Sequence, residues 1–202
     1  TDEEFRHALL KADYLTADGW PVRSAYLALG ADTDRVTGSE LVRVIFLDPR
    51  SRQKRYGLLG ASPEVGATFR TILQQQGNQL VFSDNRDKSA WNAETITRTL
   101  NEARVDILFI AVTPPSGEII AASLMDAGFE GNIIAVGGAI DAVTGKVKPC
   151  PSSIQKLKLE WLYRMLQQPQ RLVGRYMRTC LPVLFTDIFP ILISNLTKPK
   201  SG

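Results

Sequence analysis

Short apolar runs recur at regular intervals through the middle of the chain, and a segment of helical length separates each run from the next. Predicted strands lie at residues 55–59, 79–83, 106–112 and 132–136, and predicted helices at 63–76, 89–103 and 118–127. Strands without polar alternation, separated by helices, are typical of a parallel sheet that is covered on both faces. The pattern therefore predicts an α/β fold, a doubly wound Rossmann-like parallel sheet.

The chain before this sheet is also predicted to be largely helical. Apolar positions at 5, 8, 9 and 12 follow helical spacing, and Thr1 with Glu4 matches a capping box. Residues 12–19 are predicted as a short extended piece that ends in a turn at Asp18 and Gly19. A further helix is predicted at 22–29.

The pattern changes after Pro151. A basic amphipathic helix is predicted at 152–168, and another helix from Pro169 to about residue 179. An apolar stretch follows at 181–195, broken by two prolines and too short to span a bilayer. It either packs on the domain or lies in a membrane interface. We predict a Rossmann-like domain at 1–150 and a basic, partly apolar helical appendage at 151–202.

Charge is unevenly distributed along the 202 residues, whose formal net charge is +3. Residues 142–180 contain eight basic side chains and one acidic one, a formal charge of +7. Such a segment favours an anionic partner, which is a phosphate, a nucleic acid or an anionic lipid surface.

A single histidine, His7, excludes a site built on several imidazoles, and two cysteines favour a reducing compartment. The chain starts without Met or a signal peptide, so we expect an upstream piece.

Ligands of open parallel sheets bind outside the carboxyl ends of the strands. Segments rich in glycine, proline or carboxylates occur where such ends are predicted, at residues 18–19, 60–62, 113–118 and 137–141. Glycine there lets backbone N–H groups approach a phosphate, but ordinary βα turns use the same residues. None of these segments matches the full dinucleotide fingerprint or a P-loop, so both interpretations stay open.

A series of segments nevertheless resembles one family in order along most of the chain. The segments are ADG (17–19), RVTGSEL (35–41), LLGASPEV (58–65), DILFIAV (106–112), GGAIDAVTGKVK (137–148) and QKLKLEWLYRMLQQPQRLVGRY (155–176). Together they resemble the WecG/TagA/CpsF family of bacterial glycosyltransferases. The most specific part is EWLYR followed by a proline and an Arg-Tyr pair.

The resemblance implies an inverting, metal-independent hexosyl or N-acetylhexosaminyl transfer without a cofactor. The donor would be a UDP-sugar, and the acceptor a saccharide linked to polyprenyl diphosphate, in surface or exopolysaccharide assembly. The protein would be cytoplasmic, peripheral on the anionic inner face of the cell membrane, and would bind no nucleic acid. The donor sugar, the acceptor saccharide and the oligomeric state, including a homo-oligomer, stay open.

The resemblance also implies roles for particular residues. Asp18 matches the family's proposed general base, which the chemistry needs because the acceptor hydroxyl must lose its proton; a plain Asp-Gly turn is the alternative. Arg35 and Glu118 match substrate-contacting residues. The other implied donor-site residues are Thr37, Gly60, Thr113, Gly137, Gly138 and Asp141. Three arginines match family residues that meet the acceptor diphosphate and the membrane, namely Arg164, Arg171 and Arg175. The alternative for these arginines is a solvated helix face.

Several positions depart from the family pattern. Gly117 stands where the family has Gln, Thr113 where it has Gly, and Gly174 where it has an arginine. Residues 149–151 replace Arg-Ala-Pro, and the family's N-terminal strand has no counterpart before Thr1. A second hypothesis is therefore a non-catalytic relative that acts as a membrane- or partner-binding scaffold. A nucleic-acid binder is disfavoured because no known module is evident.

Overall fold

The computed structural model describes residues 2–31, 33–148, 150–151, 153–154, 157, 159–167, 169–175, 177, 182, 185–186, 189–191 and 193. The chain divides into two compact units, one of residues 1–15 and 38–147, the other of 16–37 and 148–202. The predicted division at residue 150 stays a prediction, and the predicted cap at Thr1 lies outside the described residues.

The described residues form helices and strands that alternate through most of the chain. In chain order they are α1 (Asp2–Lys11), α2 (Trp20–Ala28), α3 (Gly38–Leu47), β1 (Arg55–Leu59), α4 (Pro63–Gln75), β2 (Gln79–Asp84), α5 (Ala93–Glu102), β3 (Ile107–Ile110), α6 (Ser116–Asp126), β4 (Asn132–Ala135), α7 (Ala139–Val143), α8 (Glu160–Gln167) and α9 (Pro169–Arg175).

The four strands form one parallel sheet in the order β2-β1-β3-β4. In the centre of the sheet Leu58 lies opposite Phe109, which in turn lies opposite Ile134. This sheet, covered by helices on both faces, confirms the predicted α/β, Rossmann-like fold class.

Apolar side chains fill both faces of the sheet. On one face α3, α4 and α7 contribute Val42, Phe69 and Ile140, which pack with Phe109. On the other face the largest contributions come from α5 and α6 with side chains of β1 and β3, including Leu59, Leu100, Leu108, Ile110 and Leu124. Each such buried side chain stabilises the fold by about 1.5–3 kcal/mol relative to an exposed one. The burial on two faces explains why the strands lack polar alternation.

Several elements differ from their predictions, and helix α7 was not predicted. Helix α3 was not predicted, because apolar residues lie on several of its sides. The predicted helix at 89–103 begins later, because Asn92 accepts a hydrogen bond from Thr95 N at 2.9 Å and caps α5. The described part of the predicted helix at 152–168 contains a turn at Leu157, and Leu159 N–H donates to Ile154 O. Within the described part of this predicted helix, α8 is the regular helix that follows the turn.

The second unit combines residues far apart in sequence. Ala17 pairs with Arg35 as a parallel bridge, and Val36 N–H donates to Ala17 O at 3.2 Å. The Gln167 side chain at the end of α8 makes two hydrogen bonds to the backbone of Lys148. Within the part of the chain that the structure describes, no helix is both long and apolar enough to cross a membrane.

Candidate functional site

The order of the strands defines where a ligand of the first unit is expected. From β1 the chain moves outward to β2, and β3 then lies on the other side of β1. In open α/β sheets the ligand crevice lies at this topological switch, outside the carboxyl ends of the strands. In this sheet those ends are followed by Gly60 after β1 and by residues 111–113 after β3.

Three strand ends meet closely at this switch. Gly60 has a φ of +87°, and a methyl group added to it would lie 2.5 Å from the Val112 side chain. Gly137 has a φ of +52°, and a methyl group added to it would lie 3.9 Å from Thr113 Cα. The Gly60 N–H donates to Asp84 O at 2.8 Å and the Gly137 N–H to Ile110 O at 3.2 Å. These two N–H groups therefore hold the strand ends together. That backbone N–H groups of these glycine-rich segments approach a phosphate stays a prediction.

Glu118 is the most unusual carboxylate at this edge. It lies in the first turn of α6, and burial raises its pKa above the ordinary value, although its own backbone N–H opposes the shift. Its Oε2 atom is buried and has no hydrogen-bond partner among the described residues. A buried carboxylate oxygen without a partner is costly. The described residues therefore leave Glu118 Oε2 without a hydrogen-bond donor.

Gly117, which precedes Glu118, is buried against the backbone of the neighbouring segment. A methyl group added to it would lie 2.6 Å from Val112 O. Real Cβ atoms do not approach a backbone oxygen so closely. The departure from the family's Gln at this position therefore has a packing cause in this chain.

The candidate base belongs to the second unit. Asp18 follows the buried residue Ala17, which pairs with Arg35, so Asp18 and Arg35 lie on adjacent extended segments. Asp18 is exposed, and Gly19 follows it as the residue that precedes α2. Thr37, two residues after Arg35, is buried.

The remaining predicted residues divide between the two units. Gly138 directly precedes α7, and Asp141 lies within it, both in the first unit. Arg164 lies half-buried on α8 in the second unit. Arg171 and Arg175 lie on α9, where the structure describes their backbone and not their side chains. The structure thus brings together Gly60, Thr113, Glu118 and Gly137 in one unit, and Asp18 with Arg35 in the other.

Sequence reasoning missed several polar residues at the carboxyl edge of the sheet. Asp84, the last residue of β2, is buried and accepts three side-chain hydrogen bonds and one backbone hydrogen bond from Arg86. Those bonds lower the Asp84 pKa, and the nearby Trp91 indole contributes without reaching hydrogen-bonding geometry. Dinucleotide-binding folds place a carboxylate that contacts the ribose at the end of the second strand. The position of Asp84 at the end of β2 is therefore a signal that could have identified this residue from the sequence.

Among the described residues, a metal-ligand cluster and two surface depressions were the further places where a predicted site residue could lie. Within the described ranges, no cluster of three or more His, Cys, Asp or Glu side chains is arranged to hold a metal ion. Two shallow depressions lie at the opposite, amino edge of the sheet, one beside Asn78 and Gln79, the other beside Asp106 and Asn132. Neither depression contains a predicted site residue.

The sheet order and its carboxyl edge define a Rossmann-like α/β protein. A family model described as the glycosyl transferase WecG/TagA/CpsF family matches residues 1–197. The chain belongs to this family, and the resemblance seen in the sequence is confirmed. It is accordingly a glycosyltransferase of the group that acts in cell-surface polysaccharide biosynthesis.

Proposed function

We propose that the protein transfers a hexosyl or N-acetylhexosaminyl group from a UDP-sugar to a polyprenyl-diphosphate-linked saccharide. The transfer inverts the anomeric configuration and needs no metal. The observation that carries the proposal is Glu118 Oε2, a buried carboxylate oxygen at the switch point of the sheet that has no hydrogen-bond partner among the described residues. A polar group of this kind is stabilised when a ligand hydroxyl donates to it. A sugar or ribose hydroxyl of the donor supplies such a group.

The chemistry assigns a different task to the second unit. Asp18 accepts the proton of the acceptor hydroxyl while that oxygen attacks the anomeric carbon. The bond from the anomeric carbon to the UDP oxygen breaks, and UDP leaves with the electron pair. Arg35, on the segment paired beside Asp18, positions the substrate. Arg164, Arg171 and Arg175 bind the acceptor diphosphate, because Arg suits phosphate oxygens in a bidentate way.

Calorimetric titration with UDP tests the donor site. We expect saturable UDP binding that is stronger than UMP binding and that weakens about tenfold or more in Glu118→Ala. Arg35→Ala is expected to weaken it as well. The matched control is Glu64→Ala, because Glu64 lies in the first turn of the neighbouring helix α4 but is exposed. Its removal should leave the affinity unchanged.

The two hypotheses give opposite results in this titration. A folded wild-type chain that shows no saturable binding of UDP would contradict the transferase proposal. It would favour the scaffold hypothesis, in which the chain binds a membrane or a partner and releases no UDP.

We also propose that the basic appendage at residues 151–202 holds the protein on the anionic inner face of the cell membrane. Supporting this, Trp161, Leu166 and Phe185 expose 40%, 71% and 62% of their surface in a segment rich in Lys and Arg. The rings of Phe185 and Phe189 stack 5.9 Å apart. Such apolar groups beside basic ones are typical of interfacial binding.

Removal of residues 181–202 is expected to reduce binding to vesicles that contain anionic lipid. Added salt should weaken binding of the full chain, because it screens the basic segment. Co-sedimentation with anionic vesicles measures both effects, and neutral vesicles are the control. Equal binding of the full and shortened chains would assign no membrane role to these residues, and no binding of the full chain would end the proposal.

A further inference from the structure

Two lysines at the carboxyl edge of the sheet donate to serine hydroxyls. Lys88 Nζ lies 2.6 Å from Ser116 Oγ, and Lys146 Nζ lies 3.1 Å from Ser62 Oγ. The acidic residue next to Lys88 in sequence is Asp87, whose carboxylate accepts two hydrogen bonds from Ser89. Those bonds lower the pKa of Asp87, and the charge of Lys88 contributes less to this shift. Among the described residues, neither lysine forms an ion pair within 4.0 Å of a carboxylate.

The serines place both ammonium groups beside the switch point. Ser62 directly precedes α4, which follows β1, and Ser116 begins α6, which follows β3. Neither helix has a side-chain hydrogen bond as its N-terminal cap. The hydroxyl oxygens are therefore used as acceptors for the lysines. Each hydroxyl fixes one of the three donors of an ammonium group, and the other two can reach a ligand.

A chain of close contacts joins the two lysine sites. The segment that carries Lys88 follows β2, whose last residue, Asp84, accepts a hydrogen bond from Gly60 N–H. Gly60 packs on Val112, and Val112 packs on Gly117, the neighbour of Ser116. The strand ends β2, β1 and β3 and the starts of α4 and α6 thus form one continuous edge. Lys88 and Lys146 each donate to a serine on this edge.

We propose that Lys88 and Lys146 form a diphosphate-binding pair for the leaving group of the sugar donor. The inference rests on the proposed function. In it the two lysines bind the diphosphate of the UDP-sugar and do not contact its nucleoside. As the bond from the anomeric carbon to the β-phosphate oxygen breaks, the electron pair stays on that oxygen. The two ammonium groups stabilise the negative charge that develops there. Their serine contacts hold them in place before the donor arrives.

The test compares UDP with uridine in calorimetric titrations of Lys88→Ala, Lys146→Ala and the double variant. Each single substitution is expected to weaken UDP binding about tenfold, whereas uridine binding stays unchanged. The double variant should also have a smaller dependence of UDP affinity on salt. The matched control is Lys54→Ala, because Lys54 pairs with Asp106 at the opposite edge of the sheet. Its UDP affinity should equal that of the wild type.

The outcomes separate this inference from the proposed function. If the wild type and all variants bind UDP equally, the lysine pair does not bind the diphosphate, while the donor site stands. If UDP and uridine affinities fall in parallel, the lysines support the fold of the edge and the inference is overturned. Melting temperatures of the variants identify that case. A wild-type chain that binds no UDP overturns both the proposed function and this inference.

Discussion

Replacing Asp18 with asparagine is expected to lower kcat by about 10²–10⁴-fold, the usual effect of removing a general base. Asparagine keeps the size of the side chain but cannot accept the proton of the acceptor hydroxyl. Because Asp18 is exposed and follows the buried residue Ala17, the change should leave the fold intact. The measurement is the rate of UDP release with donor and acceptor present, together with calorimetric UDP affinity. The affinity should be retained while the rate falls.

The matched control for this substitution is Asp13→Asn. Asp13 is exposed and lies five residues earlier in the same predicted extended piece. Its replacement removes the same charge and should leave kcat unchanged. Full turnover in Asp18→Asn, with a normal melting temperature, would mean that another group takes the proton.

Restoring the family's glutamine at position 117 is expected to destabilise this chain. In Gly117→Gln the new Cβ would lie 2.6 Å from Val112 O, a backbone atom that cannot rotate away. Forcing side-chain atoms into a well-packed site costs about 1–3 kcal/mol. The free energy of unfolding in urea should fall by that amount. The start of α6 would shift, so donor binding through Glu118 should weaken as well.

A second restored residue provides the control. Gly174 stands where the family has an arginine, and no described atom lies within 4 Å of a methyl group added there. Gly174→Arg should therefore cost no stability, since Arg is a better helix former than Gly within α9. If Gly117→Gln proves as stable as Gly174→Arg, the packing explanation for Gly117 is wrong.

Much of the fold could be predicted because the sheet is buried on both faces. Leu58 and Phe109 are fully buried, and such strands leave continuous apolar runs in the sequence. Helix α3 gave no comparable pattern. Val42 on it is buried, but Val44 and Leu47 are 62% and 78% exposed. Apolar residues on several sides of a helix weaken the periodicity from which helices are predicted.

The candidate site was predictable only where topology determines it. Gly60, Thr113, Glu118 and Gly137 follow strands, so the parallel sheet alone places them at one edge. The lysine contacts have no local pattern, because Lys88 and Ser116 are 28 positions apart and Lys146 and Ser62 are 84 apart. Glu118 Oε2 has no described hydrogen-bond partner because the surrounding fold buries it, and this burial could not be predicted from the sequence.

The composition of the second unit has a consequence for how the protein is synthesised. Residues 16–37, which carry Asp18 and Arg35, share that unit with residues 148–202, more than a hundred positions later. At about 5–20 residues per second, the ribosome needs roughly 5–20 s to produce the intervening chain. During that time the sheet can form, but the segment at residues 16–37 lacks the rest of its unit. A nascent chain therefore completes this unit only after residues 148–202 have been translated.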